Sequence, residues 1–542
     1  MATLPAQPKL PAQPLGRITF PTSGAAAAQA PFIRGVLLLH SFEYDEAIAA
    51  FREAERVDPG FALAYWGEAL AYNQPLWYNE SLDKARVALS HLAASAAARQ
   101  AKAPTAREKG YLDAVDRLFG TGDKATRDRA YADRMAELTR QFPDDDEAAA
   151  FYALALLATV PAGGRDVPAA LKAGTIALAI LKKNPEHPGA AHYALHAFDN
   201  AGRAELGLQA ARTYARIAPA SSHARHMPSH VFLPLGMWDE AVASDESAFA
   251  ASVDLAKRKG QSAAQYDFHS LSWLHYEYLQ QGRFARARET MREVERAITA
   301  PGPAEAGHYR NSVPGPPVVS GFSQTDHQHE SEIGRGFGPL SLKSELASMK
   351  ARLAVESGDW APMKGQGSFD NIDELFALGM ASIPLRDPGR ADAALENLTA
   401  ASKTVPDRDA REIAAIMAAE LGGLIKLGRN DRAAALTALA RGARLEAARP
   451  KPVARPYPVK PAGELYGEIL LGTGNAAAAV TQFKAALERT PGRAQSLLGL
   501  ARAASATGAK ALAQENAKAF LAAWHFADKD RPELAEMKTL AR

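Results

Sequence analysis

Apolar residues recur every three to four positions along most of the chain, which is the period of an α-helix with one buried face. The period begins at Phe32, Val36, Leu39 and Phe42. No stretch shows the strict alternation of apolar and polar residues that is typical of a half-buried strand. The pattern therefore predicts an all-α chain, in which residues 1–27, rich in Pro and Ala, form a loose tail.

Two segments far apart in the chain share one spacing of small and large residues. The intervals are 12, 4, 3 and 5 positions, and the first set consists of Gly35, Ala47, Phe51, Ala54 and Pro59. The second set, with the same intervals, consists of Gly467, Ala479, Phe483, Ala486 and Pro491. Small residues mark points where two helices touch, and a large apolar residue fills the space between them. This pattern resembles the tetratricopeptide repeat (TPR), a helix–turn–helix unit of about 34 residues.

The resemblance implies helical hairpins stacked side by side, because each hairpin has an apolar face that only a neighbouring hairpin can cover. Two stretches are too rich in proline and glycine for helices. We therefore expect an all-α, TPR-like solenoid with a low-complexity insert and a C-terminal TPR pair. The predicted segments are a tail at 1–27, an array at 28–298, an insert at 299–339, a helical continuation at 340–447, a Pro-rich linker at 448–463 and the terminal pair at 464–542.

Composition and charge narrow the range of functions. Lys and Arg number 63 against 61 Asp and Glu, so the net charge is only +2 and does not favour binding to nucleic acid or an anionic membrane. Because cysteine is absent, any metal must be held by His, Asp or Glu. No window reaches the roughly 18 apolar residues of a membrane span. We expect a soluble protein, cytoplasmic by default and periplasmic if a leader has been removed.

Histidines concentrate in one part of the chain. Eight of the fourteen lie in residues 187–278, within the runs HPGAAHYALHAFDN, HARHMPSHVF and DFHSLSWLHYEYL. Two pairs are four residues apart, a spacing that places both imidazoles on one face of a helix. These pairs are His192 with His196, and His226 with His230. Pro228 lies inside the second pair and would kink a helix or start one there.

The TPR resemblance also implies which side chains face a common groove. In TPR proteins, positions 2, 5, 9 and 12 of the first helix in each unit line the concave side. Apolar residues alone set the frame of this chain, and polar residues then fall on those positions. The predicted ligand residues are His192, His196, Asp199, His226, His230 and His269, with Asp267 beside them. The predicted residues of the ligand-binding groove are Trp66, Tyr193, Ser272 and Tyr276, although repeat packing is the alternative for Trp66.

Imidazoles on facing helices near a carboxylate are the usual ligands of one divalent transition metal ion (zinc, copper or iron) when thiolates are absent. Three interpretations stay open: a metal site, a groove that binds a peptide, protein segment or small polar ligand, and purely structural histidines. A metal-dependent enzyme on the same scaffold is the alternative function. The sequence has no phosphate-cradling glycine loop, HExxH motif, nucleophile elbow or kinase motif set. It therefore leaves catalysis undecided.

Other polar residues have simpler explanations. His275 falls on a position that normally packs between helices, which predicts a core histidine. The carboxylates of residues 144–147 follow Pro143 at a predicted helix start, where they interact favourably with the helix dipole. His327 and His329 lie in the predicted insert and are expected to be solvated.

Beyond the repeat itself, the motifs HPGAAHY and HMPSH, together with LLHSFEYDEA and AYWGEA, are similar to those of a group of bacterial TPR proteins. The similarity covers about residues 16–290 and the GELYGEILL region. It implies a fold but no activity.

Overall fold

A computed structural model describes residues 14–159, 167–299, 339–364, 371–452 and 454–542. Residues 1–13 of the predicted tail, and all but the two ends of the predicted insert at 299–339, lie outside this description. His327 and His329 also fall outside it.

Helices account for nearly all regular structure in the described residues. Their bounds are α1 Ala26–His40, α2 Tyr44–Val57, α3 Ala62–Leu70, α4 Leu82–Leu92, α5 Ala96–Lys102, α6 Ala106–Leu118, α7 Lys124–Gln141, α8 Asp146–Ala158, α9 Val167–Lys183, α10 Pro188–Phe198, α11 Ala204–Ile217, α12 Ser222–His226, α13 Ser229–Phe232, α14 Trp238–Arg258, α15 Phe268–Gln280, α16 Phe284–Thr299, α17 Pro339–Ser357, α18 Ile372–Ser382, α19 Pro388–Thr404, α20 Arg408–Gly428, α21 Arg432–Ala447, α22 Ala462–Gly472, α23 Ala476–Arg489, α24 Ala494–Ala506, α25 Lys510–Ala523 and α26 Pro532–Leu540.

The remaining regular elements are short. Two strands, β1 (Asn73–Gln74) and β2 (Asn79–Glu80), pair antiparallel in a small hairpin. Single 3₁₀ turns occupy Pro75–Trp77, Ala263–Gln265 and Ala361–Lys364. No helix among the described residues has both the length and the hydrophobicity needed to cross a membrane.

The chain forms two compact units. The first comprises Met1–Ala197 and Gln209–Pro228, and the second comprises Phe198–Leu208 and Ser229–Arg542. Within each unit, helices that follow one another pack together: α1 with α2, α2 with α3 and α6 to α9 in sequence in the first unit, and α14 to α26 in sequence in the second. This pairwise packing confirms the all-α, TPR-like prediction, since each helix finds its apolar partner in a neighbour along the chain.

Aromatic rings that pack directly against glycine residues determine how closely neighbouring helices approach. In the first unit the ring of Phe51 on α2 lies against Gly35 and Gly67, and a Cβ built on Gly35 would be only 2.7 Å from it. In the second unit Phe483 lies against Gly467 and Gly499, and a Cβ at Gly467 would be 3.1 Å from the ring. Both phenylalanines are fully buried. The shared sequence spacing therefore corresponds to one packing arrangement that occurs twice.

The described part of the predicted tail is packed against the first unit. Residues 14–25 have no regular structure, yet Phe20 is buried and lies 5.3 Å from the ring of Phe32 and 5.7 Å from Trp66, between ring centroids. This differs from a loose tail, because the apolar residues near its end reach the core.

The segment predicted as a linker is also packed, within the second unit. Val459 is fully buried, and Arg455 donates from one nitrogen to the Ser272 carbonyl and to the Glu345 carboxylate, both at 3.1 Å. Proline keeps this segment out of the helices, but it contributes to the core.

The glycine contacts generate a stability prediction. Gly67→Ala and Gly499→Ala should each lower the free energy of unfolding by about 1–3 kcal/mol, because the added methyl group overlaps a buried phenyl ring. Gly472→Ala is the matched control, since a Cβ there meets nothing within 4 Å and alanine is the better helix former. Thermal denaturation followed by circular dichroism measures the effect. Melting temperatures for Gly67→Ala and Gly499→Ala at or above that of the control would contradict the packing account.

Candidate metal centre

Three imidazoles from two helices converge in the first unit. His192 and His196 lie one turn apart on α10, and His223 lies on α12. The Nε2 atom of His192 is 2.9 Å from Nε2 of His223 and 3.0 Å from Nε2 of His196. All three nitrogens lie within 4.8 Å of one another. We call this group the tri-histidine site.

A main-chain contact determines which nitrogen of His192 carries hydrogen. Its Nδ1 atom lies 2.7 Å from the carbonyl oxygen of His40. Because a carbonyl only accepts, Nδ1 of the neutral ring carries the hydrogen and Nε2 presents a lone pair. One lone pair cannot accept hydrogens from both His196 and His223, whereas a cation among the three nitrogens would bind all three lone pairs. The arrangement therefore has the chemistry of a metal ligand set.

Aromatic side chains surround the tri-histidine site. The ring centroid of Phe42 lies 4.2 Å from that of His192, 5.7 Å from His196 and 5.8 Å from His223. Tyr214 stacks on His192 at 5.0 Å. His192 is fully buried, and the other two imidazoles are half-buried. An ion would therefore meet apolar walls on one side and reach solvent along the exposed edges of the other two histidines.

Phe42 has a positive φ angle, which is rare for a non-glycine residue. It follows the end of α1 and has φ +60°. This left-handed conformation costs of order 1–3 kcal/mol and persists only where the surrounding structure enforces it. Its ring contacts with the imidazoles are part of that surrounding structure.

The motif HPGAAHY explains how α10 begins. His187 caps the helix, since its Nδ1 atom accepts the Ala190 N–H at 3.1 Å, and Pro188 takes the first helical position, where an N–H is not required. A Cβ on Gly189 would lie 2.8 Å from Cε1 of the His40 ring, so glycine permits the close approach.

A second polar group is buried in the first unit and consists of His40, Glu147 and His187. His40 Nε2 lies 2.8 Å from Glu147 Oε2, and its Nδ1 lies 2.8 Å from the Tyr193 hydroxyl. His187 Nε2 lies 3.2 Å from Glu147 Oε1. Because Nδ1 of His187 accepts a backbone N–H, its neutral ring carries hydrogen on Nε2, which then cannot bind a metal. This group therefore favours a hydrogen-bonded cluster around one carboxylate.

The electrostatics of this buried cluster agree with that interpretation. Burial raises the pKa of Glu147, but the nearby imidazoles of His187 and His40 outweigh it and lower the pKa to about 2. Burial lowers the pKa of His40, partly offset by Glu147. Glu147 is therefore an anion at neutral pH and accepts a hydrogen bond from Nε2 of His40.

In the second unit, two of the predicted ligand residues, His230 and Asp199, contact each other. The Nδ1 atom of His230 donates to Asp199 Oδ2 at 2.8 Å, which leaves Nε2 of the neutral ring with a lone pair. The ring of His230 stacks on Trp273 at 4.4 Å, and its centroid lies 6.4 Å from that of His269. Asp267 is the N-cap of α15 and accepts a backbone N–H at 3.1 Å. Asp267 thus caps the helix.

The structure divides the predicted ligands between the two units: His192, His196 and His226 belong to the first, and His230 and His269 belong to the second.

His226 and His230 do not share one helix, which is the alternative that Pro228 allowed in the sequence. The buried His226 ends α12, and α13 begins at Ser229. Pro228 lies between these helices and cannot supply the N–H that one continuous helix would need.

His223 joins the site without having been predicted from sequence. Its position three residues before His226 is the available signal, since that spacing also places two side chains on one helical face.

The predicted groove residues are buried. Trp66 and Tyr193 are fully enclosed in the first unit, and Ser272 and Tyr276 are 2% and 1% exposed in the second. Each has an internal role: the hydroxyl of Tyr193 contacts His40, and that of Tyr276 accepts from Arg493 at 3.2 Å. These side chains do not form an accessible groove wall, and Trp66 packs in the repeat core.

Two other predictions concern polar residues outside the groove. His275 is buried, with its ring nitrogens 3.1 Å from the Ala287 carbonyl and 3.0 Å from the Met349 carbonyl, as expected for a core histidine. Helix capping explains Asp145, which accepts the Ala148 N–H. It does not explain Glu147, whose carboxylate points into the core. The capping pattern in the sequence therefore gave no sign that Glu147 is a buried anion.

The buried anion generates a pH prediction. A carboxyl group whose pKa is lower in the folded chain stabilises the fold above its unfolded value, here 4.5, and loses that contribution as the pH falls towards about 2. Glu147→Gln should therefore destabilise the first unit at pH 7, on the order of 3 kcal/mol. The difference from wild type should shrink progressively between pH 5 and pH 2. Urea unfolding at several pH values tests this, and a difference independent of pH would refute it.

Comparison with known proteins adds little. The chain matches no protein-family profile and no curated protein sequence. A human IFIT1 dimer with m7Gppp-AAAA aligns over 94% of this chain and 91% of that chain, with 12% identity and a TM-score of 0.32. The APC/C hetero-tetramer Cut9-Hcn1 aligns over 96% and 78%, with 12% identity and a TM-score of 0.28. Neither similarity assigns a function to this chain.

Proposed function

We propose that this TPR-like helical-repeat protein binds one transition-metal ion through Nε2 of His192, His196 and His223. The observation that carries the proposal is the convergence of three imidazole nitrogens on one point, with the tautomer of His192 set by a carbonyl. Metal-binding histidines commonly donate their other ring N–H to an oxygen acceptor in this way. A groove that takes a ligand without metal is favoured less, because its predicted walls are buried.

The donor set limits the metal. Imidazole ligands suit zinc, copper and iron, and the chain offers no thiolate. Bonds of about 2.1 Å at tetrahedral angles require nitrogens roughly 3.4 Å apart. The observed separations of 2.9 and 3.0 Å need to increase by only a few tenths of an ångström. Rotation of the half-buried His196 and His223 side chains can supply this change.

Three protein ligands also leave a position for an exchangeable ligand. Structural zinc sites use four protein ligands, whereas sites that bind a water molecule or a substrate use three. The partly exposed side of the tri-histidine site is where such a ligand would enter. A small polar molecule or a donor group of a peptide segment fits this position. Metal-dependent catalysis, in which the ion activates water, is the second candidate function and rests on the same three-ligand set.

His230 and His269 are kept as a separate candidate in the second unit. Asp199 orients His230 in the way that carboxylates orient metal-binding histidines. One ring nitrogen of His230 lies within 4.8 Å of one ring nitrogen of His269.

The proposal predicts the metal content of the protein. Chain purified without a histidine tag and loaded with zinc should retain about one equivalent after dialysis. His196→Ala and His223→Ala should each weaken zinc binding by roughly two orders of magnitude, since one of three ligand bonds is lost. Isothermal titration calorimetry and elemental analysis measure both quantities. Zinc affinity should also fall as the pH drops below about 6.5, because protons compete for imidazole nitrogens.

Two controls separate ligand loss from unfolding and from non-specific binding. His525→Ala removes a partly exposed histidine of the second unit and should leave the affinity unchanged. Far-UV circular dichroism should show that the two ligand variants keep the helical content of wild type. Equal zinc affinity in wild type, His196→Ala and His223→Ala would overturn the proposal.

A further inference from the structure

Residues 14–23 run along the first unit without regular secondary structure. Ile18 and Phe20 are buried, whereas Thr19 between them is exposed, and this alternation is that of an extended chain. Pro21 favours the extended form, because a proline disfavours the helical conformation of the residue before it. We call residues 14–23 the internal segment. It places its apolar side chains in the first unit in the way that an extended peptide does on a binding surface.

An aromatic pocket of the first unit receives the side chain of Phe20. The centroid of its ring lies 5.1 Å from that of Tyr111, 5.3 Å from Phe32 and 5.7 Å from Trp66. The guanidinium carbon of Arg107 lies 4.5 Å from the same centroid. Aromatic pairs at these distances attract one another beyond the burial of their area, and a guanidinium group over a ring adds to this. The pocket therefore suits a phenyl ring.

Side chains of the first unit also bond to the backbone of the internal segment. These bonds run from Asn184 Nδ2 to the Arg17 carbonyl at 2.8 Å, from Arg107 Nη1 to the Pro21 carbonyl at 2.8 Å, and from the Ser23 N–H to Glu108 Oε1 at 2.7 Å. Backbone groups are common to all peptides, so such bonds hold a segment while pockets select its side chains. We call the surface formed by the aromatic pocket and these three bonding side chains the segment groove.

Two of the bonding side chains are held in place by residues outside the internal segment. Arg107 also donates to Asp145, from Nε at 2.6 Å and from Nη2 at 3.0 Å. The other oxygen of Glu108, Oε2, accepts the Thr105 hydroxyl at 2.9 Å, within the capping box that begins α6. These partners keep both groups in position when the internal segment leaves. The segment groove is thus largely pre-formed, as binding sites usually are.

Gly16 adds a steric requirement at the start of the internal segment. Its φ angle is +89°, and a Cβ there would lie 2.5 Å from the carbonyl oxygen of Glu186 and 2.7 Å from Cγ2 of Ile217. Glycine adopts this conformation freely and leaves room for both neighbours. A segment that binds in the same way therefore needs glycine at the position that corresponds to Gly16.

We propose that the segment groove is a binding site for an extended peptide segment of another protein, and that residues 14–23 occupy it as an internal ligand. The partner has the chemistry of the internal segment: glycine, an aliphatic residue, phenylalanine, proline and serine at the spacing of Gly16, Ile18, Phe20, Pro21 and Ser23. An empty groove would expose its aromatic walls to water, which is unfavourable. A partner segment therefore replaces the internal one. This proposal is independent of the metal proposal.

The internal segment competes with every partner, because it is tethered to the chain that carries the groove. A short tether corresponds to an effective concentration on the order of millimolar. A free peptide of the same sequence must overcome this competition, so wild type should bind it weakly. Weakening the internal segment should open the groove to the peptide.

The experiment measures fluorescence anisotropy of a fluorescein-labelled peptide with the sequence of residues 14–25, titrated with the full chain. The double variant Ile18→Ala/Phe20→Ala loses two apolar anchors of the internal segment. It should bind the peptide at least about 100-fold more tightly than wild type does. Phe20→Leu keeps an apolar side chain in the pocket and so preserves the fold, and it should bind about tenfold more tightly than wild type.

Controls test the site and the sequence that it selects. Thr19→Ala changes an exposed side chain of the internal segment and should bind the peptide as weakly as wild type. Peptides with alanine in place of Phe20 or of Gly16 should bind the double variant at least about tenfold more weakly than the parent peptide. The parent peptide should also raise the melting temperature of the double variant and leave that of wild type unchanged.

Four results would overturn the proposal. Absence of saturable binding to Phe20→Leu and to the double variant, at protein concentrations up to about 1 mM, would show that residues 14–23 are only part of the core. Equal affinity of wild type and the double variant would place the peptide elsewhere. Equal affinity for the parent and the alanine-substituted peptides would remove the selectivity. Wild type that forms a dimer by exchanging residues 14–23 would make a second copy the occupant.

Discussion

The close approach of an aromatic ring to a glycine on a neighbouring helix is the constraint on which this fold depends. Phe51 lies against Gly35 and Gly67 in the first unit, and Phe483 lies against its own pair of glycines in the second. A ring seated this way fixes both the distance between two helices and their register, because interiors are close-packed and leave no space for a methyl group. The apolar stripes of the hairpins supply the driving force, and the glycine contacts select one arrangement.

The same kind of contact, a ring packed against a glycine, also occurs beside the candidate site. At Gly189 the ring that takes the place of a side chain is the imidazole of His40. An imidazole in this buried position needs polar partners, and Glu147 and Tyr193 provide them. The end of α1 is thereby held against α10, with the His40 carbonyl directed at Nδ1 of His192. The packing that builds the repeat thus also prepares one nitrogen of the candidate metal ligand.

The sequence predicts the repeated features well because they depend on local spacing. Apolar periodicity and the glycine and phenylalanine intervals identify helical hairpins, and the interval of four residues correctly places His192 and His196 on one face. The third imidazole, His223, comes from a helix separated from α10 by all of α11, and no local rule sets that approach. Pro228 shows the converse case, in which a favourable interval is interrupted by one residue that breaks the helix. Glu147 was concealed because a carboxylate at a helix start has an adequate local explanation.

The carbonyl of His40 has a consequence for how this protein can change. The group that decides which nitrogen of His192 is protonated belongs to the main chain, so every amino acid at position 40 supplies it. Substitution of the His40 side chain can affect which nitrogen of His192 is protonated only indirectly, by changing the path of the backbone after α1. Side-chain scanning would therefore identify position 40 as part of the core and miss its influence on the ligand. Nδ1 of His192 would therefore keep its hydrogen after substitutions at position 40, provided that the turn after α1 keeps its conformation.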